Sequence, residues 1–454
     1  MRDVIVTLLF MAGAFAAFRR PYLGGLLWVW IGLMNPHQLG WGFAHGLPFS
    51  MAAAAVTVLA IFFNNGKGYF KWLGGGPVAV LIIMLLWMCA TTANAIVVDK
   101  SFEKLIEVFK ILVMALVVGA LTISKKQIIG LVLVVTGSIA FYGVKGGIFT
   151  ILTGGAFRVW GPPNSLVNGN NELALALVMT VPLLYFLAQQ ASYLTVMPVL
   201  RKFSPKLLKW CLYASMGLSA VAAIGSQSRG AFLAMAAMLG MLWVRSRSKM
   251  VLAIMFMVCV PGILLMMPDA WFDRMQTIQT YDEDASAMGR IVAWKMAIAI
   301  ANDRILGAGF ATANDTVYSI YSPDAGLTLV AHSIYFQVLG DHGYIGLGLY
   351  LLFWFLSYRL AVRLMKLGKQ HEELRWVETL GAMSTVSILG FAVGGAFLSL
   401  AYWDMPYYIT VILLATERHA RAFLDARRQI EGVGISGSSK AVTSHSGVAL
   451  EYGR

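Results

Sequence analysis

Apolar runs of 15 to 22 residues recur along almost the whole of this sequence, and they restrict its fold more than any motif does. A hydrocarbon core about 30 Å thick is crossed by roughly 20 helical residues at 1.5 Å of rise each. Inside that core the backbone polar groups must be satisfied within the segment, which a helix does. The runs lie at roughly 4–18, 21–35, 50–64, 77–97, 104–123, 127–147, 171–189, 208–225, 229–245, 250–267, 343–362, 377–398 and 404–417. They predict an all-α polytopic integral membrane protein with about 12 transmembrane helices. The choice between twelve and thirteen turns on two short stretches flanking Arg19-Arg20, and an even count puts both termini on one side. The first run follows only Arg2 and lacks a small-residue cleavage pattern, so it reads as a retained span. A hydrophobic share of 59%, a charged share of 13% and a mean hydropathy of +0.72 exclude a soluble fold.

Lysines and arginines cluster in short loops: Lys125-Lys126, Arg201 to Lys209, Arg245 to Lys249, Arg359 to Lys369 and Arg418 to Arg428. The positive-inside rule puts these loops in the cytoplasm. Alternation then places 148–170, the 226–229 turn and 269–330 on the opposite side. The last segment holds eight acids (Asp269, Asp273, Asp282, Glu283, Asp284, Asp303, Asp315, Asp324) against four bases (Arg274, Arg290, Lys295, Arg304). The net charge of +13 is therefore a topology signal and gives no reason to invoke nucleic acid.

Four regions follow. Residues 1–150 carry N-terminal spans, and 151–330 carry spans with the outward loops, including a large periplasmic segment with surface helices. Residues 331–428 carry the last spans and a basic cytoplasmic end. Residues 429–454 are Gly- and Ser-rich, which predicts a disordered tail. Cys89, Cys211 and Cys259 fall inside spans without metal-ligand or redox spacing and read as structural thiols.

Polar residues concentrate in three outward segments. Arg158 to Glu172 (RVWGPPNSLVNGNNE) has the glycines, prolines and asparagines of an ordered turn leading into a helix. SQSRGAFLAM (226–235) places Arg229 in the first turn of an apolar helix, where position alone reads as a snorkelling anchor. In 269–330, residues 288–301 read as a helix with Arg290, Trp294 and Ala297 on one face, ended by a glycine turn near 307–309. His332 then opens a further helix at the membrane surface, with His342 ten residues on. The acidic run 282–284 reads as a solvated loop or a partner for Arg290, with a Mg²⁺ or Mn²⁺ site as the rival.

SRG at 228–230, GRIVAW at 289–294, LGAGF at 306–310 and H-S-x-Y-x-x-x-x-G-D-x-G-x-x-G from His332 resemble the O-antigen ligase and polymerase superfamily of bacterial envelope assembly. The resemblance covers about 160–420. The N-terminal stretch MRDVIVTLLF to GLMNPHQLGWGF is similar to O-glycosylation ligases found beside exosortase systems. Where the superfamily has His-Asn, this chain has His332-Ser333, and a serine keeps a hydrogen-bonding group.

The resemblance implies an inner-membrane glycosyltransferase with a periplasmic active site. It moves a glycan from undecaprenyl diphosphate to a hydroxyl of lipid A–core, among membrane lipids and with neither cofactor nor metal. Arg229 and Arg290 would bind the diphosphate, as fixed bidentate donors do. His332, with an ordinary pKa near 6.5, would orient or deprotonate the acceptor hydroxyl. Arg158, Asn170, Trp294, Tyr335 and Asp341 are candidates for lining or supporting the site. An O-antigen polymerase or a protein O-oligosaccharyltransferase shares this chemistry. A lipid-linked glycan transporter fits less well, because few charges lie at mid-depth.

Overall fold

A computed structural model describes residues 1–64, 69, 74–245, 249, 250, 257, 272 and 285–436. It is helical, with no strand among the described residues. The helices are α1 (Arg2–Arg19), α2 (Pro21–Met34), α3 (Phe49–Phe63), α4 (Gly76–Ala93), α5 (Val98–Leu121), α6 (Lys125–Leu152), α7 (Asn170–Gln189), α8 (Ala191–Leu194), α9 (Pro205–Gly225) and α10 (Arg229–Arg245). They are followed by α11 (Ala285–Asp303), α12 (Asp315–Tyr321), α13 (Ile334–Gln370), α14 (Arg375–Gly395) and α15 (Asp404–Ser436).

Among the described residues, six helices are long and apolar enough to cross a membrane: α4, α6, α7, α9, α13 and the stretch Glu372–Gly395 containing α14. Two shorter ones, α2 and α3, are apolar as well. Apart from residues 250 and 257, the expected span at 250–267 lies outside the described residues, as do the acidic run 282–284 and Cys259. The last helix runs on to Ser436, into the region expected to be a disordered tail, and 437–454 lie outside the described residues.

One core cluster extends from Phe10 to Ala420, so the first three regions share a single helical core. α7 is its axis, with 83% of its apolar window buried against 28% for α9. Small residues set the closest crossings. On α6, Gly143 and Gly147 lie against Ser219 and the Leu218 carbonyl of α9, and on α14 Gly394 admits Leu175 of α7 and Ala234 of α10. Such stripes let backbones approach where lipid gives helices no hydrophobic reason to pair.

The two ends of the bundle differ chemically. At one end Lys125 sits over the Tyr193 and Trp376 rings, 4.7 and 5.4 Å from their centroids, and Arg418 donates to the Gly119 and Thr122 carbonyls. The acidic and asparagine-rich loops gather at the other. There Asn35 Nδ2 donates to the Pro163 carbonyl (3.2 Å) and Phe310 N donates to Ser101 Oγ (2.8 Å).

α13 starts at Ile334, two residues after the helix opening expected at His332, and runs on through the expected 343–362 span, where Gly343 interrupts it with φ 68° and ψ −172°. A side chain there would strike the Ile305 carbonyl, so glycine permits both the backbone angle and the close approach.

Candidate functional site

The α9–α10 turn is fixed from two sides. Ser226 N donates back to the Ala222 carbonyl (2.9 Å), Gln227 takes a left-handed φ of 56°, and Ser228 Oγ accepts from Ala231 N (3.2 Å) to cap α10. Asn170, the first residue of α7, donates from Nδ2 to the Ser226 carbonyl at 2.8 Å and is buried. From the 153–169 loop, Arg158 Nε donates to Gln227 Oε1 (3.3 Å), and Gln227 Nε2 donates to the Gly155 carbonyl (3.1 Å). Arg229 follows at once, half-buried in the first turn of α10. Phe397 packs on the neighbouring Gly230, 3.1 Å from its Cβ direction.

The second half of the site comes from α11. Trp294 donates from Nε1 to the Ala331 carbonyl at 2.7 Å and stacks on Phe336, with ring centroids 4.8 Å apart and planes 12° from parallel. Ala297 meets Gly340 one turn on. The face predicted for Arg290, Trp294 and Ala297 is thus the face laid against 331–340. Arg290, one turn before Trp294, comes within electrostatic reach of both His332 and Glu172. His332 has a left-handed φ of 43°, a conformation few non-glycine residues hold without tertiary support. Burial lowers its pKa below the ordinary histidine value, and the Arg290 charge lowers it further.

Three helices begin at this end, at Asn170, Arg229 and Ile334. Each start carries about half a positive charge from its backbone dipoles. With two arginines added, this end of the bundle concentrates positive charge, beside a histidine whose pKa is lowered by burial and by Arg290.

Two expected neighbours of His332 do other work. Tyr335 donates its hydroxyl to the Ala392 carbonyl at 2.7 Å, tying α13 to α14. Asp341 is buried below the site, where Thr312 Oγ1 donates to it at 3.1 Å and the Tyr402 hydroxyl at 2.9 Å. It lies seven residues into α13 from Ile334, about 10 Å along the axis. Next to it His342 Nδ1 lies 2.7 Å from Thr91 Oγ1, and its carbonyl accepts from Trp87 Nε1 at 3.0 Å. The 307–310 turn docks on this break: Ala308 N donates to the Gly340 carbonyl (2.9 Å) and Gly309 N to that of Asp341 (3.0 Å). Asp341 and His342 therefore anchor the joint between α11 and α13.

Sequence reasoning did not single out Gln227 or Glu172. Gln227 carried one signal, its place between two serines in a polar turn. Glu172 stands in the sequence only as the end of a polar loop. Among the described residues, no three His, Cys, Asp or Glu side chains are grouped as for a metal. Cys89 and Cys211 are free and exposed on outer helix faces.

Residues 214–351 match the family model described as O-antigen ligase. That stretch makes the chain similar to the O-antigen ligase-like superfamily over residues 214–351. Its members are glycosyltransferase-like enzymes, ligases and polymerases. Residues 1–192 match a family of unknown function, and no curated protein matches the chain. The O-antigen ligase match takes in Arg229, Arg290 and His332, whereas Arg158 and Asn170, which hold the Arg229 turn, lie within the other match.

Proposed function

We propose that this O-antigen ligase-like chain transfers a glycan from undecaprenyl diphosphate to a hydroxyl of lipid A–core at the periplasmic face of the inner membrane. What supports the reading is that Arg290 lies within electrostatic reach of His332 and Glu172, while Asn170, two residues before Glu172, holds the turn that carries Arg229. The sugar's anomeric carbon is attacked by the acceptor oxygen, so a new C–O bond forms as the bond to the diphosphate oxygen breaks. The electron pair leaves with the diphosphate. Arg229 and Arg290 receive that growing negative charge, which is where preorganised cations contribute most. The hydroxyl proton passes to the His332 imidazole. Attack from the face opposite the diphosphate inverts the anomeric centre. No step requires a divalent metal, because guanidinium groups neutralise the leaving group.

The reading is tested with purified components: lipid A–core and an undecaprenyl-diphosphate glycan, with and without EDTA. Glycosylated lipid A–core should form in both conditions. If the wild type instead lengthens the carrier-linked glycan, the protein is a polymerase; if it glycosylates a serine or threonine peptide, it is a protein O-oligosaccharyltransferase. Loss of transfer in EDTA overturns the metal-free mechanism.

A further inference from the structure

α6 and α9 cross tightly near the site end. Gly143, Gly146 and Gly147 bring α6 onto Ser219, Ala222 and the Leu218 carbonyl. Alongside that crossing, and continuing past it, a cavity of about 590 Å³ lies between the two helices, floored by Leu184 and Leu187 of α7. Its lining is apolar apart from Lys145 and Ser215. Along α6 it runs from Ile148 to Leu133, about 22 Å at 1.5 Å per residue. Its deep end lies about 28 Å beneath the end of α6 at Leu152. One leaflet is only about 15 Å deep, half of a 30 Å core, so the groove passes the midplane.

Charge marks one end of this groove. Lys145 is exposed in an otherwise apolar stretch of α6, near the site end, where its long stem can carry the ammonium toward the interface. The next residue, Gly146, is covered by Val159, whose neighbour Arg158 holds Gln227 in the Arg229 turn. The groove thus begins beside the loop that builds the site. A lipid whose chain stops at the midplane leaves its deep half unfilled. A longer chain with an anionic head satisfies both the length and the cation.

We propose that this groove seats the polyisoprenoid chain of the lipid-linked donor, with Lys145 drawing its diphosphate toward Arg158 and Arg229. The inference rests on the glycosyl-transfer reading above. Gly137 offers a direct test, because a Cβ added there meets no atom within 4 Å, so Gly137→Trp obstructs the groove without striking a neighbour. Transfer is measured in proteoliposomes with the same glycan on undecaprenyl diphosphate and on geranyl diphosphate, whose chain is too short to reach Gly137. The ratio of KM for the long donor to KM for the short one should rise about tenfold, as expected when a couple of methylenes lose their burial. Ser215→Trp, from the opposite wall, should shift the ratio the same way and replaces the first variant if that one fails to fold. Lys145→Met should raise KM for both donors. An unchanged ratio in a folded groove variant overturns the proposal and leaves the groove to ordinary membrane lipid. A wild type that transfers from neither donor refutes the glycosyl-transfer reading itself, and this inference with it.

Discussion

Gly307→Ala should loosen the joint between α11 and α13. Gly307 has φ +68°, and an added Cβ would lie 2.7 Å from both the Asp341 carbonyl oxygen and Gly343 N. Both neighbours are backbone, so neither can rotate away. A left-handed alanine costs about 1–2 kcal/mol and forced overpacking about 1–3 kcal/mol, which puts the loss at about 2–5 kcal/mol. Gly348 supplies the contrast, because it lies on α13 with no atom within 4 Å of an added Cβ. Gly348→Ala should be neutral or gain up to about 1 kcal/mol from helix propensity. Thermal denaturation of the two variants in detergent, beside the wild type, reads the difference. Transfer by Gly307→Ala should fall further than its folded fraction explains, since Arg290 and His332 stand on opposite sides of the joint. A Gly307→Ala protein as stable as Gly348→Ala would refute the argument that this turn is backbone-locked.

Asn170→Leu should cost about 1–3 kcal/mol by leaving the buried Ser226 carbonyl without its donor, and it should lower transfer by shifting the turn that carries Arg229; denaturation and rate measurements on one preparation check both. The acid limb of the pH–rate profile should lie below 6.5, because burial and Arg290 both lower the His332 pKa. The base must be neutral, so transfer rises with pH through that limb, and a limb well above 6.5 contradicts the assignment. Arg290→Lys should slow transfer by about tenfold or more, since an ammonium cannot reproduce two parallel guanidinium bonds to a phosphate; kcat/KM for the long-chain donor reads it.

Helix positions were largely legible because hydrocarbon allows little else: α7, α10 and α14 begin within three residues of their expected starts. The break inside α13 was not: it falls at Gly343 against the 305–307 backbone, which only tertiary structure brings there. The three site segments could be chosen from their polarity and arginines. How they interlock could not, because Asn170 and Ser226 are distant in sequence and their bond follows from how α7 packs between α9 and α10. Asp341, a candidate for lining or supporting the site, is held by Thr312 and Tyr402, contacts that its closeness to His332 in sequence does not reveal. The α6–α9 groove left no motif, since its floor and walls come from three helices.

The central claim is that Arg229 and Arg290 hold a lipid diphosphate while His332 acts on the acceptor. Binding of undecaprenyl diphosphate to the purified wild type, Arg229→Ala, Arg290→Ala and His332→Ala tests it most directly, with transfer measured on the same preparations. Both arginine variants should lose binding and transfer, whereas His332→Ala should bind as the wild type does and transfer nothing. Arginine variants that bind as tightly as the wild type, or a His332→Ala protein that still transfers at full rate, would contradict it.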